Sequence, residues 1–159
     1  MKRIILLLAM LLPVMAMAGV PEIDKLATKW NGTDGVTVVN LEGAMLQAMI
    51  GAETDDATAN EAMKHLNDLQ IIVCENKAHI DNLTKDIDKL IKKADLQEVT
   101  NIKEEDTSVI ILSNKEGNIT TDLVIYVKEK DDVALISLSG EFTDDMMKDV
   151  INIGDSLDF

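Results

Sequence analysis

Residues 107–142 constrain this chain most, because they read as three β-strands in immediate succession. Residues 107–113 form a β-branched, apolar run, the composition that suits a pleated and half-buried surface. Residues 114–118 follow as a hairpin loop, with Gly117 supplying the positive φ that such a loop requires. In residues 119–128, Leu123, Ile125 and Val127 share one face, and Val124, Tyr126 and Lys128 share the other. After a charged turn at 129–132, residues 133–139 put Ala134, Ile136 and Leu138 on one face. The alternate face holds Val133, Leu135, Ser137 and Ser139, so it turns polar toward the end of the strand. The expectation is a C-terminal antiparallel meander of three or four strands, with helices packed on one face.

Upstream residues supply those helices. Residues 20–30 place Ile23, Leu26, Ala27 and Trp30 on one helical face, with Pro21 in the first turn and Trp30 as a packing anchor. The loop at 31–35 lacks the spacing of a phosphate-binding loop. Residues 36–41 read as a strand, followed by a short helix with Met45, Ala48 and Met49 on one face. A second helix starts at Thr54 and keeps Ala59, Ala62, Met63 and Leu66 in register. Methionines 45, 49 and 63 read as core filling, in preference to an adaptable groove or a metal-binding set. Residues 69–74 form the next strand, and the intervening helices permit a parallel pairing with the first through a right-handed crossover.

Ile80, Leu83, Ile87, Leu90, Ile91 and Ala94 then mark the clearest amphipathic helix in the chain. Residues 96–103 form a weaker strand, suited to an edge. Beyond the three strands, Thr143 is an N-cap, and Phe142 and Met147 have the spacing of a hydrophobic staple. Met147, Val150 and Ile151 share the face of that last helix, and Gly154 stops it. The fold class expected is α+β, a single domain over residues 19–159 with a mixed or antiparallel sheet.

The first residues give an address. Lys2 and Arg3 precede an apolar run from Ile4 to Leu12, and Ala16-Met17-Ala18 has the form of a signal-peptidase site. Residues 1–18 are therefore read as a signal peptide cut after Ala18, and the chain as periplasmic or secreted. The run is shorter than the roughly 20 residues that span a bilayer, so no stable membrane insertion is expected after cleavage. No cysteine lies near the cut to accept a lipid.

Loss of Lys2 and Arg3 takes the 15 basic residues to 13 against 29 acidic ones, a net charge of −16. Such a surface repels nucleic acid and anionic membranes. Cys74 is the single cysteine, so no internal disulfide forms, and its apolar neighbours Ile71, Ile72 and Val73 mark it as a small buried hydrophobe.

Several of these residues carry a family resemblance. The early Glu22-Ile23-Asp24-Lys25-Leu26, the strand–helix–helix–strand unit, the amphipathic helix ahead of residues 109–112 and the ending from Leu135 to Asp145 resemble the small exported Bacteroidetes proteins grouped as DUF4252. The resemblance covers nearly all of the mature chain. It implies export and the α+β fold, and it brings no catalytic, cofactor or metal residues. Many members of that family are lipoproteins, and this sequence departs from them in having no acceptor cysteine.

Chemistry is hard to place. His65 and His79 stand 14 positions apart, outside the usual spacing of paired ligands on one helix. No serine sits in a nucleophile elbow. The acid pairs Asp55-Asp56 and Asp144-Asp145 suit helix N-termini, and Glu104-Glu105 and Asp131-Asp132 suit solvated turns. No catalytic, cofactor or metal residue is therefore assigned. Two readings follow. The first is an exported, non-enzymatic envelope protein that binds an envelope or extracellular protein through the meander or its edge strand. The alternative is a small ligand-binding or hydrolytic domain whose site assembles from dispersed acidic residues and His65.

Overall fold

The computed structural model describes residues 19–50 and 64–148. Helix α1 (Pro21–Trp30) leads through a turn into β1 (Val36–Glu42), and α2 (Gly43–Ile50) follows at once. Then come β2 (Leu66–Cys74), α3 (Lys77–Lys93), β3 (Gln97–Lys103), β4 (Ser108–Glu116), β5 (Ile119–Lys128) and β6 (Val133–Phe142). The strands form one six-stranded sheet in the order β1-β2-β6-β5-β4-β3, and each neighbouring pair is antiparallel. The α+β class expected from the sequence is the class observed.

The expected parallel pairing of the first two strands is not found. Glu42, the last residue of β1, lies opposite Asp68 near the start of β2. The chain therefore re-enters the sheet at the end where it left, and β2 runs back along β1. A parallel partner would have to start beside Val36, a full strand length away. Gly43, with φ 46, turns the chain off the sheet immediately after β1.

Two corrections concern helices. Leu66, assigned to a helical face, opens β2 and is buried there; the rest of that helix lies outside the described residues, as do Met63, Val150, Ile151 and Gly154. In α2 the inward residue is Leu46, while Met45 is 63% exposed. Ala48 of the expected face is exposed as well, and the Met49 side chain lies outside those described.

Both faces of the sheet carry apolar side chains. On the first face α1 contributes Ile23, Leu26, Ala27 and Trp30, and α3 contributes Ile80, Leu83, Ile87 and Leu90. They pack on Ile72, Cys74, Val124, Tyr126, Val133 and Leu135. The second face gathers Leu46, Leu66, Ile111, Leu123, Phe142 and Met147. Strand residues alternate between the two clusters, as the pleat requires. The expectation of helices on one face therefore holds for α1 and α3 only, because α2 places Leu46 on the other. Phe142 and Met147 share this second cluster, and the Thr143 hydroxyl accepts from Met146 N at 3.4 Å, as an N-cap does.

Each long helix has an identifiable start. Pro21 opens α1, where its missing N–H costs nothing. The Asn76 side chain caps α3 by accepting from Ala78 N at 3.0 Å. The β4–β5 hairpin is tighter than expected, since Glu116 pairs with Ile119 and leaves a two-residue loop. Gly117, with φ 63, takes the first loop position, which suits a type II′ turn. Cys74 is buried as expected, with its thiol 3.5 Å from the Asn76 carbonyl oxygen.

Asp86 ties α1 to α3. Its carboxylate accepts from Trp30 Nε1 at 3.0 Å and pairs with Lys29 Nζ at 2.6 Å. Burial works to raise the Asp86 pKa, but the hydrogen bonds from Lys29 and Trp30, with the Lys29 and Lys89 charges, hold it below its ordinary 3.8. A depressed carboxylate stabilises the folded state above its unfolded pKa, and that contribution is lost as pH falls through the folded value. Asp86→Asn is therefore expected to cost about 1 kcal/mol at neutral pH. In urea titrations the gap from the parent should hold at neutral pH, then close once the pH falls below 3.8.

Candidate functional site: a carboxylate-lined cavity at the polar end of the sheet

The antiparallel register lines up residues of different strands into rows on the first face. Val38, Ile72, Leu135, Tyr126 and Ile110 are successive partners across five strands and form an apolar row. One step along, Asn40, Gln70, Ser137, Val124 and Leu112 make a row that is polar at the β1 side. One step further, Glu42, Asp68, Ser139, Asp122 and Asn114 make a wholly polar row. The face thus changes from core to polar along its strands.

The ladder becomes irregular just beyond the polar row. Register shifts fall between Leu66 and Asp68, between Thr120 and Asp122, and between Asn114 and Lys115. Bulges of this kind bend a strand and re-aim its side chains. Here Thr121 turns beside Asp122 and donates to its Oδ2 at 3.0 Å, while Ser139 Oγ donates to Oδ1 at 2.9 Å. Asn114 Nδ2 adds a weaker contact at 3.5 Å. Asp122 is buried, so these donors replace the water its carboxylate would otherwise hold.

The N-terminal end of α1 lies over the other half of the polar rows. Together they enclose a cavity of about 230 Å³ lined by Gly19, Val20 and Asp24, by Asn40 and Glu42 of β1, by Asp68 and Gln70 of β2, and by Ser137 and Ser139 of β6. Gln70 Nε2 donates to Asp24 Oδ1 at 3.2 Å, and Asn40 Nδ2 donates to Glu42 Oε1 at 3.3 Å. Burial, then the Glu42 and Asp24 charges, push the Asp68 pKa above its ordinary 3.8. Three carboxylates thus line one small space, and no basic residue lies among the described residues that line it. Ser137 is only 5% exposed, and its hydroxyl has no hydrogen-bond partner among the described residues.

This arrangement favours a positively charged group with hydrogen-bond donors. Among the described residues, no group of three or more His, Cys, Asp or Glu side chains is placed to hold a metal ion. The carboxylates are spread around the space, as suits a group that donates in several directions.

The residues weighed from the sequence lie elsewhere. His65 is exposed in the turn before β2, and only its carbonyl is used, accepting from Glu141 N at 3.1 Å. His79 stands edge-on to Trp30, with ring centroids 6.0 Å apart. Asp131 pairs with Lys77 at 2.6 Å, Asp144 with Lys115 at 3.0 Å and Asp145 with Lys148 at 3.0 Å. Glu104 and Glu105 are exposed, and Asp55 and Asp56 lie outside the described residues. Glu42, Asp68 and Gln70 belong to no sequence motif, and Asp24 falls in the family-like Glu22–Leu26 stretch without a chemical signal of its own. Their signal is an alternation that ends in polar residues: Val36, Val38, Asn40 and Glu42 on β1, and Cys74, Ile72, Gln70 and Asp68 on β2.

A family model described as a domain of unknown function, DUF4252, matches residues 30–150. The chain belongs to the DUF4252 family. The match begins at Trp30, so β1, β2 and β6 of this DUF4252 protein fall within it, whereas Gly19, Val20 and Asp24 precede it. No curated protein matches the chain. Among its described residues no helix is long and apolar enough to cross a membrane.

The Asp122 contacts set a measurable order. Ser139→Ala removes a short bond to a buried carboxylate and should cost about 1.5–3 kcal/mol. Asn114→Ala removes only a long contact and should cost less than about 1 kcal/mol. Urea denaturation of both variants tests this, and equal losses would contradict the hydrogen-bond assignment.

Proposed function

We propose that this DUF4252 protein is an exported, non-enzymatic envelope module that binds another protein by strand addition along β3. The observation that carries this reading is the state of that edge. Among the described residues β3 pairs with β4 alone, and Val99 and Ile102 are 40% and 39% exposed on it. An edge strand leaves backbone N–H and C=O groups free to pair with an extended segment, and exposed apolar side chains give such a partner purchase. Glu98, Lys103 and the register shift at Val99 keep the edge from pairing indiscriminately. The net charge of −16 left after cleavage favours a partner segment with basic flanks.

Export is supported by the signal-like start, with Lys2 and Arg3 ahead of the Ile4–Leu12 apolar run and Ala16-Met17-Ala18 as the cut site, and cleavage after Ala18 would leave the module in the periplasm or outside the cell. The cavity favours a second reading, in which the domain holds a small cationic ligand among Asp24, Glu42 and Asp68. His65 has no part in that site.

A photo-crosslinking residue at Ile102, introduced in the cell of origin, is expected to capture one protein reproducibly. Val99→Lys should abolish capture while leaving the circular dichroism spectrum unchanged. Capture that survives Val99→Lys, or none above background, would count against strand addition at β3.

A further inference from the structure

We propose that the cavity is an ammonium site and that its occupant is the chain's own amino terminus, created when cleavage after Ala18 frees the Gly19 α-amine. The inference rests on that cleavage and is independent of the β3 edge.

Gly19 already lines the cavity. A Cβ placed on it would stand 3.6 Å from Ser139 Oγ, so its backbone lies against β6. Val20 is buried in the main core, and its carbonyl accepts from Ile23 N at 2.9 Å in the first turn of α1. The residue that follows the new terminus is thus fixed by packing. The amine is one bond from the Gly19 α-carbon, so it is delivered to the cavity without a search.

The surroundings match an ammonium group. Asp24 of α1, Glu42 of β1 and Asp68 of β2 face the space, and Asp122 of β5 lies behind Ser139 of β6. None of the described lining residues is basic. Ser137, 5% exposed, lines the cavity, and its hydroxyl is available there as an acceptor. An α-ammonium offers three donors in tetrahedral directions, which suits acceptors on several sides and no single point of convergence. While Gly19 remains in peptide linkage the cavity holds crowded negative charge. The free terminus brings a compensating charge.

The test uses the processed chain purified from the envelope. Mass spectrometry establishes its first residue, and NMR follows the Gly19 α-carbon shift against pH. The α-amine should titrate at least about one pH unit above its ordinary range of ~7.7–8.0, and Asp68→Asn should bring it back toward that range. Methylamine titrated to millimolar concentration should leave the Gln70 and Ser137 resonances in place. A first residue other than Gly19 overturns the cleavage site and the docking with it. Gly19 first with an ordinary titration overturns the docking alone. Saturable movement of Gln70 and Ser137 with methylamine shows a cavity that takes its amine from solution, and overturns the assignment of the terminus.

Discussion

Val38, Ile72, Leu135, Tyr126 and Ile110 stand side by side across five strands, and the fold depends on keeping that apolar row out of water. Each such side chain contributes about 1.5–3 kcal/mol when fully buried. The exposed charge of the Lys29–Asp86 pair contributes roughly 1 kcal/mol at most, so the row and not the ion pair holds α1 and α3 on the sheet. The pair decides how α1 lies, because Trp30 and Lys29 reach the same carboxylate. The core also contains a cost. The Tyr126 hydroxyl is buried without a well-formed bond, and burial, then the nearby Asp88 charge, raise its pKa. A tyrosine kept neutral there adds ring area to the row at the cost of an under-satisfied hydroxyl.

The second face explains why the polar rows are tolerated. On it, Val39, Ile71, Ile136, Ile125 and Ile111 are successive partners, and Leu41, Leu69, Leu138 and Leu123 are the next row. Those leucines alternate along their strands with the residues of the polar rows. The far end of the sheet is thus anchored by apolar packing mainly from one side, by Leu46, Phe142 and Met147, while the N-terminal end of α1 overhangs part of the other. Its other side is free to carry Glu42, Asp68, Ser139, Asp122 and Asn114. A sheet with a single apolar face could not divide its surface this way without losing the end of the sheet.

Much of this was legible in the sequence strand by strand. The alternation in β5 and β6, the α1 and α3 stripes, the buried Cys74 and the staple of Phe142 on Met147 follow from local periodicity. What one strand cannot reveal is its register with another. Ser137 and Ser139 read as a polar strand end, and only the pairing with Gln70, Asp68 and Asp122 makes them part of a site. The direction of β2 failed for the same reason, since helices between two strands suit either a crossover or a return. Met45 failed because α2 is eight residues long and almost wholly apolar, so periodicity hardly distinguishes its faces. No motif marks Asp24, Glu42 and Asp68, which come from three elements and meet through topology alone.

The two surfaces of interest lie at opposite sides of the sheet. The cavity is floored by β1, β2 and β6, whereas β3 is the far edge, with β5 and β4 between. A strand added at β3 would extend the ladder outward and leave the β1 side untouched. A positive charge in the cavity acts on α1, whose N-terminal end already has Asp24 tied to Gln70. Its effect is to fix the helix that covers the apolar row. Occupation of the cavity would therefore bear on the stability of the whole domain, and strand addition at the β3 edge would bear on what the domain meets. These are separable physical roles, because no described side chain that lines the cavity belongs to β3, β4 or β5.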